Sequence, residues 1–466
     1  MINRLVLFTI LALLSNQGVC QSDVYKVAFR HMPNTLSPID NQRMAGSFLI
    51  WQMVYPLVSI DKQGHISSKV LDLKKTKSLD STFNQFQFCL LPGLLFSDQS
   101  QATASDLTMT FSRLKKTVEG FSHIRTSTRV DSNCIKITLA KRDLRFFEKL
   151  TGVAASLYKF DQAKPLSLIA VGDYRLMEEQ SAQITLVANT HIEKESVFKK
   201  IVLKIYQPSD TWTDTDLNFV SGDIAPPALL SQFNEVIPPT KRVYAIVVNL
   251  KNVDERRCFA SLVDPIAIGN LMKIHVKPIP GFIPSEMIGS NEQFLPEKVP
   301  QNFCKPNMAF IWNDFRESDK ESINAYFSSL ASRFGVRFKV TFQSLESLIA
   351  LSESGKEYIT VISFNSAGSK DSWNSDSTVF FEPFLREKKV ISTNLSKLRK
   401  AVDDAAMADL LSQKTEKLSQ AHRLLLDSGF VYPLGEVSKN FYVPKKISLL
   451  PWADRVSGIP QISGIR

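Results

Sequence analysis

The sequence predicts a mixed α/β chain, strand-rich in its first half and alternating strand with helix in its second. Three observations lead there. Between residues 166 and 224, the segments VGDYRL, AQITLVAN and KKIVLKIYQ follow one another as short strands. From residue 308 onward, MAFIWND, KESINAYFSSLASRFG, VRFKVTF and SLESLIALSESG alternate strand with helix, the pattern of a partly parallel sheet. The chain has 466 residues, 44% hydrophobic and 22% charged, enough for two or three domains with sizeable cores and inconsistent with wholesale disorder.

Taken in order, residues 24–30 (VYKVAFR) alternate and open as a strand, and the loop 31–40 (HMPNTLSPID) carries two prolines. Residues 43–54 have helical spacing, a turn is expected at Gly64, and residues 83–91 read as a strand closed by a Pro92-Gly93 turn. Thr103 and Asp106 form a capping-box-like start, after which Leu107, Phe111 and Leu114 recur at helical spacing. The strand CIKITLA closes this region. Pro226-Pro227 and Pro238-Pro239 punctuate a loop-rich crossing before the apolar strand VYAIVVNL at 243–250. A capped helix is expected after Asp254, with Phe259, Leu262 and Val263 as its apolar positions. Six prolines between Pro278 and Pro306 mark a long surface connection. Helical segments between Asn394 and Ser428 end near Gly429, and a last strand starts at Phe430. No repeat of fixed period is visible.

The first twenty residues decide the expected compartment. Arg4 is the only charge before Asp23, and residues 5–14 (LVLFTILALL) are an unbroken apolar run. As a helix that run rises only about 15 Å, half of a hydrocarbon core of about 30 Å. A basic start, a short apolar run and the polar stretch SNQGVCQS describe a cleaved secretory leader, residues 1–20, with cleavage after Cys20. The alternative is a lipid-bearing Cys20. Gln17, Gly18 and Val19 make a poor version of the small-residue pattern that requires, so a soluble exported protein is expected.

Four cysteines then remain, Cys89, Cys134, Cys258 and Cys304. In an oxidising compartment they allow two bridges in three connectivities. Cys89 shares a strand side with Gln85 and Gln87, and Cys134 shares one with Lys136 and Thr138, so both thiols lie on the more polar faces, where neighbouring strands could bridge.

Charge and motif content exclude several classes. The formal charge is +10, but no run reaches five basic residues. Lys74-Lys75-Thr76-Lys77, Lys115-Lys116, Lys199-Lys200 and Lys388-Lys389 read as solvated faces, and no nucleic-acid partner is expected. The six histidines, at 31, 65, 123, 191, 275 and 422, include no pair at metal-ligand spacing, so neither metal nor cofactor is implied. Ser112-Arg113-Leu114-Lys115 formally satisfies S-x-x-K but sits in an amphipathic helix without a partner KTG. Glu178-Glu179 and Asp403-Asp404 are adjacent pairs that neither share a helix face nor flank a bond. No enzyme is read here.

The order of segments resembles the extracellular solute-binding proteins of peptide and nickel ABC importers, the oligopeptide/dipeptide-binding family. NTLSPID is similar to that family's "tLdP" loop, and IWQMVYPLVSIDKQGHI to its "vyepLv..d..G.i" segment. FQFCLLPGLLFSDQSQATASDLTMTFSRL resembles "ytFtLRkgvkFsdGtpltAeDVvfsler", and AVGDYRL with ITLVAN resembles "GTGPYkl" with "itlerN". LNFVSGDIA, YAIVVNLKNVDERRCFASLVDPIAI and FVYPLGE continue the series collinearly over nearly the whole mature chain. Two departures stand out: no glycine follows the FSD of PGLLFSDQS, and VGDYRL lacks the full GTG.

The resemblance implies a two-lobed periplasmic binding protein of the large peptide-binding class, with a small domain inserted in the first lobe. Its expected division is 21–51, 151–240 and 438–466 for lobe I, 52–150 for the inserted domain and 241–437 for lobe II. The crossings are expected near 238–244 and 433–441. Cys89–Cys134, on two strands of the inserted domain, is the expected disulfide. Gln42, Arg43 and Met44 match positions after the "tLdP" loop that line the family's cleft, where Arg43 could hold a ligand carboxylate. Peptide binders of the family carry a W-x-x-D element whose aspartate pairs with the ligand's α-amino group. Trp373-Asn374-Ser375-Asp376 has that spacing, whereas registration on the strand YITVISF places Phe364-Asn365-Ser366-Ala367 there. The implied function is periplasmic capture of a small ligand, a peptide, and delivery to an inner-membrane ABC permease by a monomer. The rival is a diverged scaffold used as a sensory or interaction module without transport.

Overall fold

The computed structural model describes residues 23–60 except 42, 65–189 except 145 and 162, 198–206, 217–221, 231–236, 241–271, 307–312, 319–343, 356–365, 395–406, 410–438 and 441–445, with isolated positions between them. The leader, the Gly64 turn and nearly all of the proline-rich connection lie outside the described residues.

Strand β1 (Val24–Phe29) leads through loop 30–43 into helix α1 (Met44–Met53). Residues 48–53 of α1 are all buried, the mark of a helix enclosed by core rather than laid on a surface. The chain next builds a separate unit. Strands β2 (Ser59–Ile60) and β3 (Ile66–Ser67) pair as a hairpin. Strands β4 (Lys77–Ser78), β5 (Gln85–Cys89), β6 (Ile124–Arg129) and β7 (Cys134–Leu139) form an antiparallel sheet in the order β4-β5-β7-β6. Helix α2 (Ala104–Thr117) covers one face of it, with the Phe88 and Phe111 rings 5.1 Å apart. The Asp106 carboxylate accepts the Thr103 backbone N–H at 2.8 Å and its hydroxyl at 2.9 Å, which starts α2 where the sequence predicts.

After helix α3 (Phe146–Lys149) and the hairpin β8 (Tyr158–Phe160) and β9 (Leu168–Ala170), the chain returns to its first sheet. Strands β10 (Tyr174–Gln180), β11 (Gln183–Ala188), β12 (Lys200–Ile205), β13 (Phe219–Ser221) and β14 (Phe233–Val236) join β1 and the last strand, β20 (Phe441–Pro444). Their order is β10-β11-β12-β1-β13-β20-β14, and β1 is parallel to both neighbours.

The second half builds a five-stranded sheet. Strand β15 (Lys241–Asn249) is followed by helices α4 (Val253–Leu262) and α5 (Pro265–Leu271). Next come β16 (Asn307–Trp312), helix α6 (Lys320–Phe334), β17 (Arg337–Phe342) and β18 (Tyr358–Asn365). Helices α7 (Leu395–Ala406) and α8 (Leu411–Asp427) precede β19 (Val431–Ser438). The order is β17-β16-β18-β15-β19, with β16 parallel to β17 and β18. β15 has no polar face because both its faces are covered. Val243, Ala245 and Val247 pack with α7 and α8, while Tyr244, Ile246 and Val248 pack with α4 and α6. Asn252, not Asp254, caps α4: its side chain accepts the Asp254 N–H at 2.8 Å.

Both pairs of cysteines are bridged. Cys89 and Cys134 stand directly opposite each other on β5 and β7, Cα atoms 4.1 Å apart. They lie on the face of Gln87 and Lys136, yet are 1% and 6% exposed, because residues 75–76 fold over the Cys89 end. Cys258 and Cys304 form the second bridge, tying α4 to the proline-rich connection. Peptide mapping without reductant is expected to recover both pairs. Replacing Cys89 and Cys134 by serine is expected to cost about 2–4 kcal/mol, read as a lower urea midpoint. An unchanged midpoint would mean the register of β5 on β7 does not need the bridge.

Candidate ligand-binding site

The sheets place the site by where their parallel strands end. The chain passes from the seven-stranded to the five-stranded sheet between β14 and β15 and returns between β19 and β20. On the first sheet Val236 and Ser221 both pair with Phe441, so the carboxyl end of β13, and with it that of parallel β1, lies at this crossing. On the second, Arg242 pairs with both Asn365 and Val437, so the carboxyl end of β18, and of parallel β16, lies there too. Two sheets thus turn the carboxyl ends of their parallel strands to the same pair of connections. In open α/β sheets that edge, where loops leave and backbone groups go unpaired, is where ligands bind.

From the first sheet the loop 30–43 enters this edge, and it is held from several sides. Leu36 N–H and the Thr35 hydroxyl both donate to Pro165 O, at 2.8 and 3.1 Å. The Ser37 hydroxyl donates to the Asp40 carboxylate at 2.7 Å. Asn41 Nδ2 reaches Arg43 O at 3.0 Å and Ser47 Oγ at 2.8 Å, which sets the entry to α1. Arg43 stands at the N-cap of α1, and its Nη1 donates to Met32 O at 2.8 Å, so part of its guanidinium fork organises the loop itself. Met44 is half-buried against the first-sheet core. Gln42 lies outside the described residues. Below the loop, burial and then the nearby Asp40 charge push the Tyr158 hydroxyl up to about 12, against the opposing pull of Arg113, whose guanidinium lies 3.5 Å over the Tyr158 ring.

From the second sheet, Phe364 and Asn365 end β18, in register with Val243 and Arg242. They stand at the crossing edge. Trp373 and Asp376 lie outside the described residues, so the two registrations stay alternatives. Among the described residues no group of His, Cys, Asp and Glu is arranged to hold a metal.

Sequence reasoning missed the joint beneath the first half of the site. The Tyr55 hydroxyl donates to the buried Asp173 carboxylate, and the Lys69 ammonium lies 3.2 Å from Tyr55 Oη and 3.8 Å from Asp173. The three come from the exit of α1, the small unit and the entry of β10. Asp173 occupies the proline position of the family's GTGPY, which was the available signal. The other departure is also resolved. Gln99 adopts φ 67°, the left-handed conformation for which a glycine is favoured, and the turn closes with Phe96 N–H on Ser100 O at 2.9 Å.

Comparisons with known proteins agree with this architecture. The family model described as "Bacterial extracellular solute-binding proteins, family 5 Middle" matches residues 73–309, just over half of the chain. No curated protein matches the chain in sequence. Among solved structures, a dipeptide-binding protein from Pseudoalteromonas sp. SM9913, in complex with Met-Leu, superposes with TM-score 0.76 at 13% identity, covering 95% of this chain and 99% of that one. The Escherichia coli murein tripeptide-binding protein MppA gives 0.72 at 16%, covering 94% and 97%. NikA from Brucella suis, in complex with Fe(III)-EDTA, gives 0.72 at 12%, covering 95% and 99%. Likeness at these identities speaks for the two-lobed fold, and the family model for descent: the chain belongs to the bacterial extracellular solute-binding proteins, family 5.

Proposed function

We propose that the protein captures a small solute, a peptide, between its two lobes in the periplasm and delivers it to an inner-membrane ABC permease. The observation that carries this reading is the convergence of both sheets' parallel-strand ends on one pair of crossing segments. Contacts made by both lobes at once exist only when the lobes are closed, so a ligand that makes them shifts the population toward closure. Of the three structures described above, two are named for short peptides and one holds a metal chelate, which favours a peptide here. In this reading residues 1–20 are a leader removed on export, 52–150 an inserted domain, 241–437 the second lobe and the rest the first. No described helix is long and apolar enough to cross a membrane.

The cleft would be lined by Gln42, Arg43 and Met44 from one lobe and by Phe364, Asn365, Trp373 and Asp376 from the other. A buried ammonium needs an opposite charge, which assigns Asp376 to the peptide's α-amino group. Asp376→Ala is expected to weaken peptide binding by about 2 kcal/mol or more, as for truncating one partner of a desolvated pair. The same substitution should leave binding of an N-acetylated peptide unaltered. Calorimetric titration with both forms checks this. Undiminished affinity for the free-amine form would remove Asp376 from the site and favour the registration on Phe364 and Asn365.

A further inference from the structure

The five-stranded sheet ends on β17, whose outer side pairs with no strand among the described residues. Just past it, Gln343 N–H donates to Trp312 O at 3.1 Å. Backbone direction alternates along a strand, so Arg337, Lys339 and Thr341 also turn their N–H and C=O groups to β16. Phe338 and Val340 turn theirs outward, away from the sheet. An edge of this kind is a template for one more strand.

A groove runs beside it. It has a volume of about 280 Å³ and is lined by Asn324, Phe327, Ser328 and Ala331 of α6 and by Phe338 and Val340 of β17. Asn324, Ser328 and Ala331 form one stripe of short side chains along the helix. The larger Phe327 is drawn inward, its ring 4.4 Å from Phe310 of β16 and 5.2 Å from Phe338. No residue of β16 lines the groove, so it opens on the unpaired side of β17. Arg337, which also lines it, and Lys339 are exposed, and neither has an ion pair among the described residues. The nearest described acids in sequence, Asp319 and Glu321, stand at the start of α6, whereas Arg337 follows its end. Asp264 lies against Tyr326, on the far side of the helix from Asn324 and Ser328.

We propose that the free edge of β17, with the groove beside it, is a docking site for an extended acidic segment of a protein partner, which adds to the sheet as another strand. The occupant follows from backbone and charge together. Main-chain hydrogen bonds to Phe338 and Val340 would hold a segment of any sequence, and the sites for its alternate side chains would select among them. A side chain laid beside Phe338 or Val340 falls on the α6 face and enters the groove, which suits an apolar residue. Side chains at the alternate positions lie beside Arg337 and Lys339, where a carboxylate meets an exposed cation. The fitting segment therefore alternates apolar residues with Asp or Glu. A second copy of this chain fits poorly, because antiparallel pairing centred on Lys339 sets like charges directly opposite each other.

The test adds the peptide acetyl-EVEVEVE-amide to the full chain and follows hydrogen–deuterium exchange. Its blocked ends keep it from the amine-dependent capture proposed above. Exchange is expected to slow in residues 336–343, and acetyl-KVKVKVK-amide should have no effect there. Arg337→Glu/Lys339→Glu should lower affinity for the acidic peptide at least about tenfold. Val340→Pro removes an outward N–H without touching the ladder to β16, and should weaken binding as well. Unaltered melting transitions show that the variants are folded, and the charge-reversed variant decides if the proline variant is not. No protection by the acidic peptide, protection of a different segment instead, or equal protection by the basic peptide would each overturn the proposal. Slow exchange in 336–343 without peptide, appearing only as sedimentation shows dimers forming, would assign the edge to a second copy instead.

Discussion

Gly172→Ala is expected to cost at least about 4 kcal/mol of stability, more than most single substitutions. An added Cβ would lie 2.0 Å from Met53 O, 2.2 Å from Met53 C and 2.7 Å from Val54 N. All three are backbone atoms at the end of α1, and that backbone has nowhere to go. Val54 N–H is bonded to Ile50 O at 2.9 Å, and Tyr55 N–H to Val171 O at 2.7 Å. On the other side, Asn189 Nδ2 donates to Gly172 O at 2.7 Å. Relief requires parting α1 from β10, and with it the Tyr55–Asp173–Lys69 joint. Denaturant unfolding of the variant measures the loss. A midpoint within experimental scatter of the parent would show that the strand and helix can separate without penalty.

Arg256→Ala is expected to cost about 3–5 kcal/mol, the range for breaking a buried ionic hydrogen-bond network. Arg256 is 7% exposed, and its guanidinium donates to Ser428 O at 2.7 Å, Leu250 O at 2.6 Å and Lys251 O at 3.2 Å. It therefore joins the end of β15 to the turn after α8, reaching a residue 172 positions further along the chain. Burial pulls its pKa below the usual range, Tyr432 opposes this and Arg257 adds to it; the hydrogen-bonded carbonyls still favour the charged form. Alanine would leave those carbonyls buried without a donor. Arg256→Lys should recover only part of the loss, since an ammonium cannot span both segments as the planar fork does. Full recovery in the lysine variant would count against this geometry.

Local pattern made much of this fold legible. The alternation of CIKITL separates Ile135 and Ile137 from Lys136 and Thr138, and the faces are as read. Thr103 and Asp106 start their helix as spacing requires. What escaped was set by distant partners. β13, β14 and β20 are three or four residues long, too short for periodicity, and exist because Val220, Glu235 and Tyr442 meet in one sheet. The Cys258–Cys304 bridge could not be read because one cysteine lies in a proline-rich stretch without period. Burial of the Cys89–Cys134 bridge on a polar face depends on residues 75–76 folding over it. At the candidate site, the resemblance pointed to Arg43 as a cleft residue. It did not reveal that Arg43 is bonded to Met32 O, because loop backbone geometry leaves no trace in composition. The tight approach at Gly172 was hidden for a similar reason: a glycine among VGDY reads equally well as a turn.

The most direct test of ligand capture is native mass spectrometry of the protein purified from periplasm without denaturation, with sequencing of whatever is released on unfolding. A bound species that dissociates as a peptide with a free amino terminus is expected. Adding that peptide back should raise the melting temperature of the emptied protein, as mass action demands for a ligand bound only by the folded state. A protein recovered empty, whose melting is moved by no member of a short-peptide library, would contradict it. So would a released metal chelate in place of a peptide.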